Sequence, residues 1–378
     1  MDYEKLIPVS RPSIGEEELN EVRKVFDSGW LGMGRWVAEF EGKLKELLGA
    51  DNAVAVNTGT TALHLALDSI GIEKGDEVIV PSLTFIASVQ AIVACGAKPV
   101  FCDVEEDTLN MDIMDASRRI TSKTKAIMPI HYSGQPCDMD AILGLAKKRR
   151  LRVVEDAAHA FGSYYKGKRI GSFGDITCFS FDPIKTITCG EGGAIVTKDT
   201  DLAHIMYKKR ILGIDKDTWS RYKHKRDWFY NVTTSGFRYH MSNINAAIGL
   251  VQLKKLDAFI SRRREIAKKY DEELGKIRGI ILTKRDYDNI APFNYIIKVK
   301  DAREDLMAFL KNAKIDTGVH YIPNHIQPLF NKSRVSLPIT EKLYEHILTL
   351  PLYVDMTNEE QTFIIKKIKE FWKNHGKS

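Results

Sequence analysis

The sequence predicts a three-layer α/β fold. A mostly parallel, mixed sheet of about seven strands carries helices on both faces, and a smaller α+β unit follows it. Three observations lead there. Between residues 53 and 200, short β-branched runs alternate with helical patterns. Those runs are apolar almost throughout, as strands covered on both faces must be. After about residue 250 the pattern changes to one long charged helix and a few separate elements. At 378 residues the chain also exceeds what one hydrophobic core usually supports. Two domains are therefore expected, 1–250 and 251–378, with the N-terminal segment free to pack on the second.

In chain order, the strands are read at Ala53–Val56, Val78–Val80, Pro99–Cys102, Ala126–Ile130, Val153–Glu155, Thr177–Phe181 and Ala194–Thr197. Helical stretches such as Thr61–Ser69 and Ala87–Cys95 lie between most of them. The last three strands follow one another with little helix between, which suits an antiparallel arrangement there. Leu253–Leu274 reads as a long connecting helix. Then come a strand (Tyr295–Val299), a helix (Glu304–Asn312), a loop rich in His, Pro and Asn (His320–Pro328), and a terminal helix (Glu359–Asn374). In that last helix Phe363, Ile364, Ile368, Phe371 and Trp372 recur at helical spacing and belong to a core.

Composition excludes several function classes. With 44% hydrophobic and 28% charged residues, the chain is ordinary for a globular enzyme. No run of about 18 apolar residues appears, so no membrane span is expected. The start, MDYEKLIPVSRP, is too polar for a secretion signal, which points to the cytoplasm. The net charge of +6 suits a solvated basic surface, or attraction of an anionic substrate. The basic runs Lys147–Arg150 and Arg262–Arg264 fall on predicted helices without interleaved aromatics, so no nucleic-acid partner is expected. Cys95, Cys102, Cys137, Cys178 and Cys189 form no CxxC pair, which speaks against a disulfide framework or a metal site.

Two stretches carry chemistry: VVEDAAHA (153–160) and CFSFDPIKTITCGEGG (178–193). Together they offer a carboxylate at a strand end (Asp156), a serine (Ser180), and a lysine (Lys185) in a loop before a glycine cluster. Pyridoxal 5'-phosphate needs those three groups: an amine for its aldehyde, a carboxylate for its ring nitrogen, a hydroxyl for its phosphate. Lys185 sits among Phe179, Phe181, Pro183 and Ile184, an apolar setting that favours the neutral amine. Asp156 has an ordinary explanation as a helix N-cap; its place at the carboxyl end of a strand suits a ligand equally. Gly59 and Thr60 make a turn between a strand and a helix, whose N–H groups can bind phosphate. The GxGxxG and GxxxxGK[ST] spacings are absent there. Phe85 is either a core ring or a ring stacked on the cofactor. His159 is either a satisfied histidine or a partner of the cofactor's phenolic oxygen.

With these residues in place, nearly the whole chain resembles the DegT/DnrJ/EryC1/StrS family of sugar aminotransferases, pyridoxal-phosphate enzymes of fold type I in the aspartate aminotransferase superfamily. The lysine loop and EDAAHA carry the resemblance most specifically. SGWLGMGRWVAEFE (28–41), GDEVIVPSLTFIAS (75–88), GAKPVFCDVEEDTLNMD (96–112), FRYHMSNINAAIGLVQL (237–253) and HYIPNHIQP (320–328) extend it. The resemblance implies that Lys185 bonds the cofactor, Asp156 pairs with the pyridine nitrogen, and Gly59, Thr60 and Ser180 hold the phosphate. It implies that Phe85 stacks on the ring and that His159 lies near the phenolic oxygen. It also implies a homodimer with shared active sites. Many members read NYR where this chain reads FRYH, so Arg238 stands where an Asn of the partner subunit would contact phosphate. His320, Tyr321 and His325 are candidates for the substrate side.

The expected reaction moves an amino group, with glutamate as donor, to a nucleotide-linked 3- or 4-keto-sugar, as amino-sugar biosynthesis requires. The cofactor passes through a pyridoxamine 5'-phosphate form. A sugar dehydratase of the same family is the alternative; versions lacking the Schiff base carry histidine in place of the lysine, and Lys185 counts against that. A non-catalytic regulator would need a basic recognition helix, which the sequence does not show.

Overall fold

A computed structural model describes residues 5–215, 229–331 and 335–375. The strands in chain order are β1 (Asn52–Val56), β2 (Glu77–Pro81), β3 (Lys98–Cys102), β4 (Thr124–Ile127) and β5 (Arg152–Asp156). A small hairpin follows, β6 (Tyr164–Tyr165) and β7 (Lys168–Arg169), then β8 (Ile176–Ser180) and β9 (Gly193–Thr197). The large sheet has seven strands in the order β1-β9-β8-β5-β4-β2-β3. Neighbours pair in parallel except at β9, which is antiparallel to both β1 and β8.

The expected antiparallel region is thus narrower than the sequence suggested. β5 and β8 run parallel, with Val154, Glu155 and Asp156 paired to Ile176, Thr177 and Cys178. The chain between them is long enough for a parallel crossover without a helix, since about a dozen residues suffice. All strands of this sheet but β9 therefore point the same way. The carboxyl ends of β1, β2, β5 and β8 share one edge, where open α/β sheets bind ligands.

Strand alternation splits the sheet's side chains between two cores. Ala53 and Ala55 of β1 and Phe179 of β8 pack on one face, with Trp36, Phe40 and Phe161. Val54, Val56 and Cys178 pack on the other, with Leu63, Leu65 and Ile92. Phe179 is fully buried and meets Phe161 edge to face at 5.2 Å. A helix over Asn243–Leu274 runs along the first core and on into a third. It begins at Asn243 rather than Leu253, capped by the Ser242 hydroxyl, which accepts the Asn245 N–H at 3.2 Å. Its early turns read as apolar and uncharged because they are buried. Residue 250, where the sequence divides the chain, lies inside this helix.

The third core lies on a small antiparallel sheet of β10 (Ile280–Leu282), β11 (Tyr295–Val299) and β12 (Ile347–Leu350). Only β11 is legible in the sequence. β10 is three residues long, and β12 follows the helix Pro338–His346 with no turn residue between. Ile7, from the N-terminal segment, is buried in this third core and bridges to Ile315. Among the described residues, no helix is long and apolar enough to cross a membrane.

Phe179→Ala removes a fully buried ring at the junction of β8 with Phe161. It is expected to lower the unfolding free energy by about 3–5 kcal/mol, read as an earlier denaturant midpoint at unchanged slope.

Candidate active site

The carboxyl edge of the large sheet forms a wall of a cleft of about 300 Å³. β1 leads through Thr58 into the helix Gly59–Ser69, and Gly59 and Thr60 line the cleft. Thr58 caps the helix, its hydroxyl accepting the Thr61 N–H at 3.1 Å. The first-turn N–H groups of such a helix have no partner within it and suit an anion. Ser180, the last residue of β8, closes over this turn. A Cβ at Gly59 would lie 2.7 Å from the Ser180 Cβ, so only glycine fits there.

Lys185 stands in the β8–β9 loop, its Nζ 4.2 Å from the centre of the Phe293 ring. Burial pushes its amine down to about 8, against the pull of Asp182 and Asp156. Asp156, at the end of β5, is buried. Its Oδ2 accepts the Ser88 hydroxyl at 2.7 Å, and its Oδ1 the Ala158 N–H at 3.1 Å. No helix follows Asp156, so the N-cap that the sequence allowed is not formed; its Oδ1 fastens a turn instead, and the carboxylate borders the cleft. Phe85, at the end of the turn after β2, is 53% exposed, so it is no core ring. It tilts toward Tyr321 at 5.5 Å.

His159 is buried and stacks on Phe293 at 4.2 Å. Its Nε2 pairs with the Tyr321 hydroxyl at 3.0 Å, and its Nδ1 has no partner. Burial, with Lys185 and His320 nearby, holds its pKa well below the ordinary value, so the ring is neutral. His320 lines the cleft too, its pKa pushed down to about 4 by burial and Lys185.

Two expected residues lie elsewhere. His325 does not line this cleft; it is a buried connector. Its N–H donates to the Ser82 hydroxyl at 2.9 Å, and that hydroxyl pairs with its Nδ1 at 2.7 Å. Its Nε2 meets Glu341 at 3.2 Å. Arg238 borders a separate cleft of about 400 Å³ with Trp30 and His240, and is exposed. The structure also adds residues that the sequence reading passed over: Thr84, Ser88, Asp182 and Glu191 line the main cleft. Ser88 had one available signal, a hydroxyl one turn into the helix that follows a ligand-facing strand end.

This lysine, carboxylate and glycine–serine cup have well-defined relatives. Residues 12–369 match the DegT/DnrJ/EryC1/StrS aminotransferase family. The chain belongs to that family. GDP-perosamine synthase of Escherichia coli O157:H7 is 41% identical, the match covering 97% of this chain and 99% of the relative. Spore coat polysaccharide biosynthesis protein SpsC of Bacillus subtilis is 40% identical, over 97% of each chain. Among solved structures, the PMP-form of the sugar aminotransferase Spr1654 from Streptococcus pneumoniae superposes with a TM-score of 0.92 at 31% identity. That match covers 97% of this chain and 99% of the other. The PLP-form of the same protein matches with a TM-score of 0.91.

The protein is accordingly an aminotransferase whose cofactor is pyridoxal 5'-phosphate, and its cleft fits that group on its own evidence. Any Cβ at Gly59 would collide with Ser180, so the helix start stays bare beside the Ser180 hydroxyl. The buried His159 Nδ1 lacks a partner. An amine and a carboxylate of suitable type face one space. Gly59→Ala would force Ser180 aside. Overpacking of this kind costs about 1–3 kcal/mol, so cofactor affinity is expected to fall about ten- to hundredfold while the circular dichroism spectrum is kept; titrating the apoprotein by visible absorbance checks it.

Proposed function

We propose that this enzyme transfers an amino group from glutamate to a nucleotide-linked keto-sugar, a 3- or 4-ketone, in amino-sugar biosynthesis. One observation carries the reading: a lysine with its amine pushed down to about 8 shares a cleft with a buried carboxylate and the bare helix start at Gly59 and Thr60. The similarity to GDP-perosamine synthase and to SpsC supports the sugar class. When bound, the cofactor supplies an aldehyde for amines and a ring that accepts electrons.

The chain's own residues do the rest. Lys185, neutral above about pH 8, would hold the cofactor by its aldehyde; once the donor's amine takes that place, the freed Lys185 amine would move a proton from the donor's α-carbon, as base and afterwards as acid. Asp156 keeps the ring nitrogen protonated through a charge-assisted hydrogen bond. The N–H groups of Gly59 and Thr60 and the Ser180 hydroxyl take the phosphate. Phe85 covers one ring face. His159, neutral and with Nδ1 available, serves the phenolic oxygen, and His320 and Tyr321 bound the substrate side.

A phosphate also needs counter-charge, and among the described residues lining the cleft Lys185 is the sole lysine or arginine. The missing cation comes from a second copy of the chain. We assign it to Arg238 of the partner subunit, which makes the homodimer a requirement of the site.

Four outcomes test this reading. Borohydride reduction of the holoenzyme is expected to leave the cofactor on the peptide containing Lys185. Lys185→Ala should lower turnover by at least about 10²–10⁴-fold, the usual worth of positioned acid–base catalysis. In the apoprotein, cofactor uptake should accelerate with pH and level off above about 8, because only the neutral amine reacts; an ordinary lysine would keep gaining up to 10.5. Lastly, Lys185→Ala and Arg238→Ala subunits, mixed and allowed to exchange, should regain activity that neither has alone. Each mixed dimer then holds one site with both residues. No recovery on mixing would overturn the shared site.

A further inference from the structure

Beneath Asp156 lies a chain of hydroxyls with one allowed direction. Ser88 Oγ is 2.7 Å from Asp156 Oδ2, and Thr84 Oγ1 is 2.9 Å from Ser88 Oγ. Ser88 and Thr84 are 1% and 2% exposed, and Asp156 6%, so water does not compete. An ionised carboxylate only accepts, hence Ser88 donates to it. A hydroxyl has a single proton, so Thr84 must donate to Ser88. The relay runs Thr84 to Ser88 to Asp156 and cannot run backwards while Asp156 is charged.

We infer that Thr84 and Ser88 are positioning residues of the amino transfer: they hold the Asp156 carboxylate in one orientation against the cofactor's ring nitrogen. This rests on the reading of Asp156 proposed above. With Ala158 N–H on Oδ1 and Ser88 on Oδ2, turning the carboxylate would break two hydrogen bonds at once.

The arrangement is not the common local habit of such residues. A serine in a helix can bond back to the carbonyl four residues earlier. Here the Thr84 carbonyl is taken by Asn324 Nδ2 at 2.8 Å, and the Ser88 hydroxyl turns to the strand end instead. Asn324 also binds the Ser82 carbonyl twice, through Nδ2 at 3.0 Å and its own N–H at 2.9 Å. The loop that carries His320 and Tyr321 thus anchors the turn from which the relay starts.

The test uses holoenzyme with S88A, S88T, T84V and D156N. Two quantities are read: the pH titration of the bound cofactor's visible absorbance, and kcat against KM for the amino donor. S88A should shift the absorbance midpoint and lower kcat about tenfold or more at a nearly unchanged KM, as loss of a supporting hydrogen bond does for metal ligands. S88T should restore both, and T84V should move both in the same direction by less. If S88A does not fold, T84V decides by the same readouts. Wild-type titration and kcat in cofactor-saturated S88A, with D156N altered, would overturn the relay alone. Thermal destabilisation of S88A without either change would do the same. An unaltered D156N titration would overturn the reading of Asp156, and the relay with it.

Discussion

Three backbones meet at the edge of the sheet with no room for a side chain between them, and the site depends on that contact. A Cβ at Gly193 would fall 2.2 Å from the Thr58 carbonyl oxygen, and one at Gly59 would fall 2.7 Å from the Ser180 Cβ. The β8–β9 ladder pairs Ser180 with Gly193, so the strand ends that flank the lysine loop are tied at its base. The start of the helix after β1 is pressed against both. Larger residues at either glycine would part the Gly59 turn from the loop carrying Lys185.

Electrostatics then divide two adjacent carboxylates. Glu155 and Asp156 are neighbours in β5, and strand alternation sends them to opposite faces. Glu155 is fully buried and saturated: its Oε1 accepts the Gly174 N–H and the Thr177 hydroxyl, both at 2.7 Å, and its Oε2 pairs with His131 at 2.9 Å. It holds the crossover between β5 and β8. Asp156 has one protein donor on each oxygen and borders the cleft, so it retains lone pairs for a ligand. The same low-dielectric surroundings lower the Lys185 amine to about 8 and keep His159 and His320 neutral. One buried environment therefore sets a nucleophilic amine and removes two imidazolium charges that would repel it.

The part of the site legible in the sequence is the part carried by strand ends. Asp156, Ser180 and the Gly59 turn each follow an apolar run whose end is readable, and the parallel sheet brings such ends together. His325 misled because a histidine in a loop rich in polar residues resembles a ligand, whereas both of its ring nitrogens are engaged by Ser82 and Glu341. Ser88 and Thr84 escaped notice because a hydroxyl at a helix start is ordinary until its partner is known.

By itself the sequence determined the strand–helix alternation, the residue types of the Asp156–Ser180–Lys185 set, and the family, since each is written in residue type and short-range spacing. Tertiary structure alone decided that β9 reverses while β5 and β8 stay parallel, that Phe85 is exposed beside Tyr321, and that Arg238 opens onto a different cleft. Those outcomes depend on which distant segments share a hydrogen bond or a buried face, and no local pattern encodes the position of a partner so far along the chain.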